Sequence, residues 1–170
     1  ISMYTEYQPS HLLVPYIDSY WEFKGNPDYG MRIHILPDGC TDFIFTLGEV
    51  ANAVEEGSLI MQPYRSYFVG PMTKYSELVT YAESVHMFGV RFLPCGLSCF
   101  TNLPLHEFVN SRISVNEMKA VFDDTFIEKL GEQKHVADRI RVVEEYLLAY
   151  LARHYQPADS HVAMAVNMIN

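Results

Sequence analysis

The sequence predicts an α+β fold, in which a β-rich part of about seven strands precedes a C-terminal helical segment. Short apolar runs, separated by Gly and Pro, follow one another over the first two thirds of the chain. The 170 residues include 12 tyrosines and 10 phenylalanines, and aromatic side chains favour strands. After Pro94 the apolar period lengthens from two residues to that of a helix, most clearly over 135–155.

Seven segments have the length and the composition of strands. In the first, residues 16–23, alternation places Trp21 and Phe23 on the same face, and the turn residues that follow Gly25 end the strand. The other strands are predicted over residues 31–36, 41–47, 58–61, 65–69, 77–81 and 85–93. Strands this short and this closely spaced are typical of a sandwich or a small barrel.

The stretch Pro-Asp-Gly-Cys at 37–40 predicts a turn that closes a hairpin between the second and third strands. Proline presets φ, the carboxylate of Asp38 can bond back to the backbone, and Gly39 can take a positive φ. The spacing of Asp38, Cys40 and Asp42 also fits a catalytic loop. A nucleophilic cysteine, however, needs a base and a setting that lowers its pKa, and the nearest histidine is on the preceding strand. We therefore favour a turn, with Cys40 as a small buried residue.

Two helices are predicted after the strands, over residues 120–130 and 135–155. In the second, apolar residues recur at spacings of four and three and form one seam: Val136, Ile140, Val143 and Leu147. The seam suits either the contact between two copies in a homodimer or packing onto the β-rich part. A third helix, from His161, has an apolar face that continues to Asn170, so we expect the natural protein to extend further.

The composition excludes several classes of function. The formal charge is −9 and the 12 basic residues are scattered, which argues against nucleic-acid binding by this chain alone. Three cysteines, an odd number, indicate a reducing compartment without a disulfide framework. No apolar run approaches the ~18 residues of a membrane span, and no signal peptide is found. We expect a cytoplasmic protein with no membrane partner.

No arrangement of residues predicts catalysis. Cys95, Cys99 and His106 supply three possible zinc ligands, but a structural zinc site needs four in a recognisable spacing. The His106-Glu107 pair lacks the second histidine of the zinc-protease motif, and the chain has no HxH pair of the cupin metal sites. We therefore expect no catalytic residue, no metal and no cofactor.

Five short motifs occur together in an order that resembles a known family. They are YW at 20–21, ILPDGCTDFIF at 35–45, VGP at 69–71, FGVRFLPCG at 88–96 and LPLHEF at 103–108. This pattern resembles the N-terminal domain of one branch of the AraC-type bacterial transcription regulators. The resemblance implies a cupin-like β barrel of about seven or eight strands at 1–108, a helical dimerisation or linker segment at 109–156, and the start of a helix-turn-helix DNA-binding domain at 157–170.

The resemblance also implies that the barrel senses a small molecule, that the chain forms a homodimer, and that DNA is bound only through a C-terminal domain outside this chain. Two other functions stay open. One is a cupin-type enzyme that acts on a small molecule, and the other is a dimerisation scaffold whose barrel is filled and needs no ligand.

Candidate ligand-binding residues are sought on strand faces that mix aromatic and polar side chains. This criterion selects Trp21, His34, Phe43, Phe45, Tyr67 and Arg91. Arg91 lies in an otherwise apolar strand and needs an anionic partner, because an unpaired buried guanidinium is very costly. The partner is either a fixed acid, such as Glu77 or Asp42, or the carboxylate of a ligand. If Arg91 has no partner within the protein, we expect an anionic ligand.

Overall fold

The computed structural model describes residues 3–35, 37–48, 53–54, 61–114, 121–122 and 125–155. Within these residues nine strands precede two helices, which confirms the α+β class. The strands are β1 (Tyr4–Tyr7), β2 (Ile17–Gly25), β3 (Met31–Ile35), β4 (Thr41–Thr46), β5 (Ala53–Val54), β6 (Ser66–Val69), β7 (Ser76–Thr80), β8 (Val85–Phe92) and β9 (Arg112–Ser114). The helices are α1 (Phe126–Glu132) and α2 (Val136–His154).

The described strands pair antiparallel into two sheets. The large sheet has six strands in the order β1-β2-β8-β4-β6-β9, and the small sheet has three in the order β3-β7-β5. The long strands β2 and β8 pair over most of their length, with one register shift between Ile17 and Ser19. They form the centre of the large sheet together with β4.

The large sheet is buried on both faces, because its strands place apolar residues on both sides. Phe43 and Phe45 of β4 are fully buried on the face that packs against the two helices. Ile44, between them, faces the other way, where Trp21 and Leu78 belong to a second core shared with the small sheet. The molecule therefore has three layers: the small sheet, the large sheet and the helices.

The prediction of a hairpin at residues 37–40 is wrong. Strand β3 pairs with β7, whereas β4 pairs with β6 and β8, so these residues carry the chain from the small sheet to the large one. The local turn chemistry is confirmed. Gly39 has a φ of +74°, and the backbone N–H of Cys40 donates to Oδ1 of Asp38 at 2.9 Å. Cys40 is buried, as expected.

The predicted helices differ in how well their limits agree with the structure. The helix expected over 120–130 begins only at Phe126, and Val121 and Phe122 lie in a bend before it. The helix expected over 135–155 is confirmed as α2. The helix expected from His161 and most of the strand expected over 58–61 lie outside the described residues.

All four seam residues of α2 belong to the core of this same chain. Val143 and Leu147 are fully buried, and Val136 and Ile140 are partly buried against the same cluster. The seam is interpreted either as a homodimer contact or as packing onto the β-rich part, and these contacts agree with the second interpretation. Fully buried side chains such as those of Val143 and Leu147 cannot at the same time contact a second copy.

Three strands were not predicted: β1, β5 and β9. Each has only two to four residues, too few for alternation to be recognised. Strand β9 pairs with β6, so the large sheet extends beyond residue 108, where we expected the β domain to end.

Candidate functional site

A cavity of about 360 Å³ lies between the two sheets. Small-molecule sites in proteins are typically cavities of roughly 300–1,000 Å³ with mainly apolar walls and few polar groups. The cavity is lined by Tyr4, Glu6, Trp21, Phe23, Met31, Arg32, Ile33, His34, Asp38, Cys40, Asp42, Ile44, Val69, Met72, Leu78, Met87 and Arg91. Its volume is at the small end of the usual range.

The large sheet forms one wall of the cavity with alternate residues of three strands. Successive side chains of a strand point to opposite faces, so every second residue of three neighbouring strands faces the cavity. These residues are Trp21 and Phe23 of β2, Asp42 and Ile44 of β4, and Met87 and Arg91 of β8.

Gly89 makes room for the indole of Trp21. The two residues are cross-strand partners on β8 and β2. A Cβ atom on residue 89 would lie 1.9 Å from Cε2 of the indole, so the ring lies directly on the backbone of β8. Nε1 of Trp21 donates to Oδ1 of Asp42 at 3.0 Å. Trp21 therefore offers the cavity an aromatic surface, while its N–H is already bonded.

Arg91 and Asp42 form the charged end of the cavity. They are cross-strand partners, and Nε of Arg91 donates to Oδ1 of Asp42 at 3.2 Å. Nη1 of Arg91 donates to Oε1 of Glu6 at 3.3 Å, and Nη2 donates to the hydroxyl of Tyr4 at 3.4 Å. The carboxylate of Asp18 lies 3.9 Å from Nη1. The guanidinium is thus surrounded by acceptors that belong to the protein.

This arrangement answers the question of the partner of Arg91. A fixed acid is confirmed: Asp42 pairs with Arg91, and Glu6, which the sequence did not suggest, pairs with it as well. The other acid considered, Glu77, instead pairs with Arg32 at 2.7 Å. The condition for an anionic ligand, an Arg91 without a partner in the protein, is therefore not met.

Burial shifts the acid–base properties of the groups around the cavity. It raises the pKa of Asp42 to about 6, against the opposing effect of the Arg91 guanidinium and the Trp21 N–H. It also raises the pKa of Tyr4 to about 12 and the pKa of the Cys40 thiol to about 12. At neutral pH, Cys40 is therefore a protonated thiol and a poor nucleophile.

A second cluster of polar side chains, contributed by the small sheet and the residue before β7, lies at the rim of the cavity. Arg32 and His34 of β3 both contact Glu77 of β7; the distance from Nδ1 of His34 to Oε1 of Glu77 is 3.3 Å. The hydroxyl of Tyr75 bonds to Nδ1 of His34 and donates to Oε1 of Glu77 at 2.9 Å. The hydrogen bond from Arg32 lowers the pKa of Glu77. The positive charge of Arg32 is thus balanced locally.

The structure brings together three of the six residues predicted to bind a ligand. Trp21, His34 and Arg91 line the cavity. Tyr67 is buried in the same core, but its hydroxyl accepts a hydrogen bond from the backbone N–H of Gln62 at 2.6 Å, and it does not line the cavity. Phe43 and Phe45 face the helices on the opposite side of the large sheet.

Sequence reasoning did not place Asp42, Glu6 or Tyr4 in the binding set. Asp42 alternates with Ile44, a signal present in the sequence, but which face of β4 borders the cavity depends on what packs against it. Glu6 and Tyr4 lie on β1, a short strand with exposed side chains and no apolar alternation.

No group of three or more His, Cys, Asp and Glu residues within the described part of the chain could hold a metal ion. Cys95 precedes a short 3₁₀ turn over Leu97–Cys99, which ends at Cys99, and neither cysteine forms a disulfide. None of the described helices has the length and apolarity needed to cross a membrane.

A comparison with known families finds a match that covers the sheets. The family model described as "Domain of unknown function (DUF6597)" matches residues 5–114, more than half of the 170 residues. A comparison with curated proteins found no match. The matched range extends from β1 to the end of β9 and contains every residue named above as lining the cavity except Tyr4. The chain therefore belongs to the DUF6597 family.

Proposed function

We propose that this chain is the regulatory domain of an AraC-type transcription regulator, which binds a small-molecule effector in the cavity between its two sheets. In this proposal the protein is cytoplasmic and dimeric, and DNA is bound by a separate C-terminal domain. The observation that carries the proposal is the cavity, which has a volume of about 360 Å³, mainly apolar walls, a charged end at Arg91 and Asp42, and polar side chains at its rim.

The cavity favours a sensor over a scaffold. A domain that only dimerises gains stability from a filled interior, because an empty space between packed layers forfeits contacts between their side chains. Here the space lies between two sheets whose remaining apolar residues are well buried. An open space at that position therefore supports a ligand-binding function over a scaffold with a filled interior.

The chemistry of the cavity favours binding over catalysis. The pKa of the Cys40 thiol is raised, and the Asp42 carboxylate already bonds with Arg91 and Trp21. A general base needs access to a substrate proton and a nucleophile needs an activating neighbour. Burial raises the pKa of the Cys40 thiol, and the neighbouring carboxylates raise it further, against the smaller opposing effect of Arg91.

The single tryptophan provides the test, because Trp21 forms part of the cavity wall. We expect at least one compound of a small-metabolite library to shift the fluorescence of Trp21 and raise the melting temperature. The response should be lost in Ile44→Phe, which fills the cavity, and retained in Leu12→Phe, which adds the same ring at a residue that is 56% exposed. In a longer chain that carries the proposed C-terminal DNA-binding domain, the same compound should change the affinity for DNA.

Three results would contradict the proposal. The first is a library without any compound that binds, which would favour the scaffold. The second is conversion of a bound compound into a product, or a stoichiometric metal in protein purified without chelator; either would favour the enzyme. The third is a response of Ile44→Phe equal to that of the parent, when circular dichroism shows that both proteins are folded. This result would place the binding site elsewhere.

A further inference from the structure

The charged end of the cavity carries an excess of negative charge. Three carboxylates, those of Glu6, Asp18 and Asp42, lie within 3.9 Å of the Arg91 guanidinium. A fourth carboxylate, that of Asp38, also lines the cavity. One positive charge thus faces several negative ones. Arg32, the other cation of the wall, is balanced by its ion pair with Glu77.

Arg91 is a poor anchor for an anion in this setting. Each of its three guanidinium nitrogens donates to an acceptor of the protein: Nε to Asp42, Nη1 to Glu6 and Nη2 to Tyr4. A ligand carboxylate would compete with these bonds and would also lie close to the carboxylates that make them. Like charges in a partly buried site repel strongly, because water screens them little.

The two carboxylates nearest to Arg91 keep one oxygen each for a ligand. Oδ1 of Asp42 accepts both the Trp21 and the Arg91 hydrogen bonds. Oε1 of Glu6 likewise accepts from both Tyr4 and Arg91. Within the described part of the chain, no hydrogen bond reaches Oδ2 of Asp42 or Oε2 of Glu6. Carboxylate oxygens are acceptors only, so the group that satisfies them is a donor such as an ammonium.

Aromatic rings lie beside this acidic end. The rings of Tyr4 and Trp21 are 5.9 Å apart between centroids and tilted by 32°. Their polar atoms are already bonded within the protein. Both residues line the cavity, and the π surface of an aromatic ring attracts cations. Further into the cavity, Met31, Met72 and Met87 provide adaptable apolar walls.

We infer that the cavity selects small organic cations, with an amine or ammonium group held between Asp42, Glu6 and the aromatic rings, and an apolar body held between the sheets. This inference rests on the proposed ligand-binding function and narrows its ligand class. It combines four features of one place: a cavity, excess negative charge, free carboxylate oxygens and aromatic walls.

The experiment compares three probes of similar size and different charge: 2-phenylethylamine, 2-phenylethanol and phenylacetate. Each is titrated at pH 7.5 into the 170-residue chain while the fluorescence of Trp21 is followed, and the affinities are checked by calorimetry. We expect the amine to bind about tenfold more tightly than the alcohol. We expect the carboxylate to bind most weakly of the three.

Variants test whether the two carboxylates cause the preference for the amine over the alcohol. Glu6→Gln and Asp42→Asn should each reduce the ratio of amine to alcohol affinity severalfold without weakening the binding of the alcohol. Glu145→Gln, which removes the same charge on the exposed side of α2, should leave the ratio unchanged. Because the side chain of Glu6 is 47% exposed, Glu6→Gln tests the inference even if Asp42→Asn does not fold.

The outcomes separate this inference from the function on which it rests. Equal affinity for the amine and the alcohol, or tighter binding of phenylacetate, would overturn the cation preference and leave the binding cavity intact. An unchanged ratio in Glu6→Gln and in folded Asp42→Asn would also overturn it. No response to any of the three probes at millimolar concentration would count against both the preference and the proposed binding function.

Discussion

Asp42 connects the stability of the domain to the properties of its cavity. It lies between the indole of Trp21 and the guanidinium of Arg91, and its side chain is 16% exposed. Its pKa in the folded protein is about 6, above the ordinary value of 3.8. A raised pKa means that the folded state binds this proton more tightly than the unfolded state. The contribution to stability is complete below pH 3.8 and is lost as the pH rises through about 6.

Arg91→Ala should therefore destabilise the domain more at pH 8 than at pH 5. Without the guanidinium the pKa of Asp42 rises further, and its charged form becomes more costly in the folded state. We expect a loss of about 2–4 kcal/mol in the free energy of unfolding at pH 8, measured by urea denaturation. Arg32→Ala removes an arginine from the exposed pair with Glu77 and should have a much smaller effect. Equal losses for Arg91→Ala at both pH values would contradict this account of Asp42.

The role of Gly39 in the turn can be tested separately from side-chain packing. Its φ of +74° is one that side chains with a Cβ rarely adopt, while the nearest atom to an added Cβ, Cγ of Pro94, is 3.9 Å away. The cost of Gly39→Val is thus backbone strain, about 1–3 kcal/mol of unfolding free energy. The matched Gly131→Val lies in α1 with open space around it and should show no such loss. Equal stability of Gly39→Val and the parent would show that the turn relaxes without cost.

At the scale of elements, β2 joins the cavity to the helices. Trp21 faces the cavity, while its neighbours Tyr20 and Glu22 face α2. The hydroxyl of Tyr20 donates to Glu144 at 3.0 Å, and Arg139 donates from Nη1 to Glu22 at 3.1 Å. The position of α2 is therefore coupled through one strand to the wall of the cavity. The proposed function would use this strand as the connection between a bound ligand and α2.

The packing of α2 makes Leu147 a core residue. Its side chain is fully buried within the cluster of aromatic and aliphatic residues that joins α2 to the large sheet. Leu147→Ala should cost about 2–5 kcal/mol of unfolding free energy because of the lost burial and the cavity left behind. Leu12→Ala, at a residue that is 56% exposed, should cost far less. Leu147→Glu should fail to fold; a folded monomer obtained from a dimeric parent would instead assign this residue to a dimer contact.

At the scale of the whole molecule, the charge decides what the chain can bind unaided. The formal charge is −9, and the most buried arginine, Arg139, is held by Glu22 and by backbone carbonyl groups. Nucleic-acid binding requires a cationic surface that releases counterions from the phosphates. The described cations of the cavity and of α2 are mostly paired with acids. The molecule as a whole thus presents an acidic surface.

This chain should show no specific DNA binding at physiological salt. We expect no retarded band in a gel shift with up to micromolar protein and a competitor DNA. A longer chain that carries the proposed C-terminal DNA-binding domain is the positive control, and it should bind if the proposed function is correct. A band formed by the 170-residue chain at nanomolar concentration, and stable to competitor, would contradict this reasoning from charge.

The sequence by itself determined the features that depend on neighbouring residues. Alternation within 16–23 and 85–93 predicted the strands β2 and β8, and the heptad-like spacing over 135–155 predicted α2. The need for an acid beside Arg91 also followed from its apolar strand. The positive φ of Gly39 was predictable because a local turn dictates it. These properties are encoded within a few residues of the chain.

Only the tertiary structure decided which faces meet. The segment at 37–40 has the residues of a hairpin turn, yet it joins two sheets, because β3 finds its partner in the distant β7. Phe43 and Trp21 are equally plausible cavity residues by composition, but the helices cover the first and the small sheet faces the second. When both faces of a strand are apolar, alternation does not distinguish them. Which face borders the cavity then depends on the layers that pack on each side.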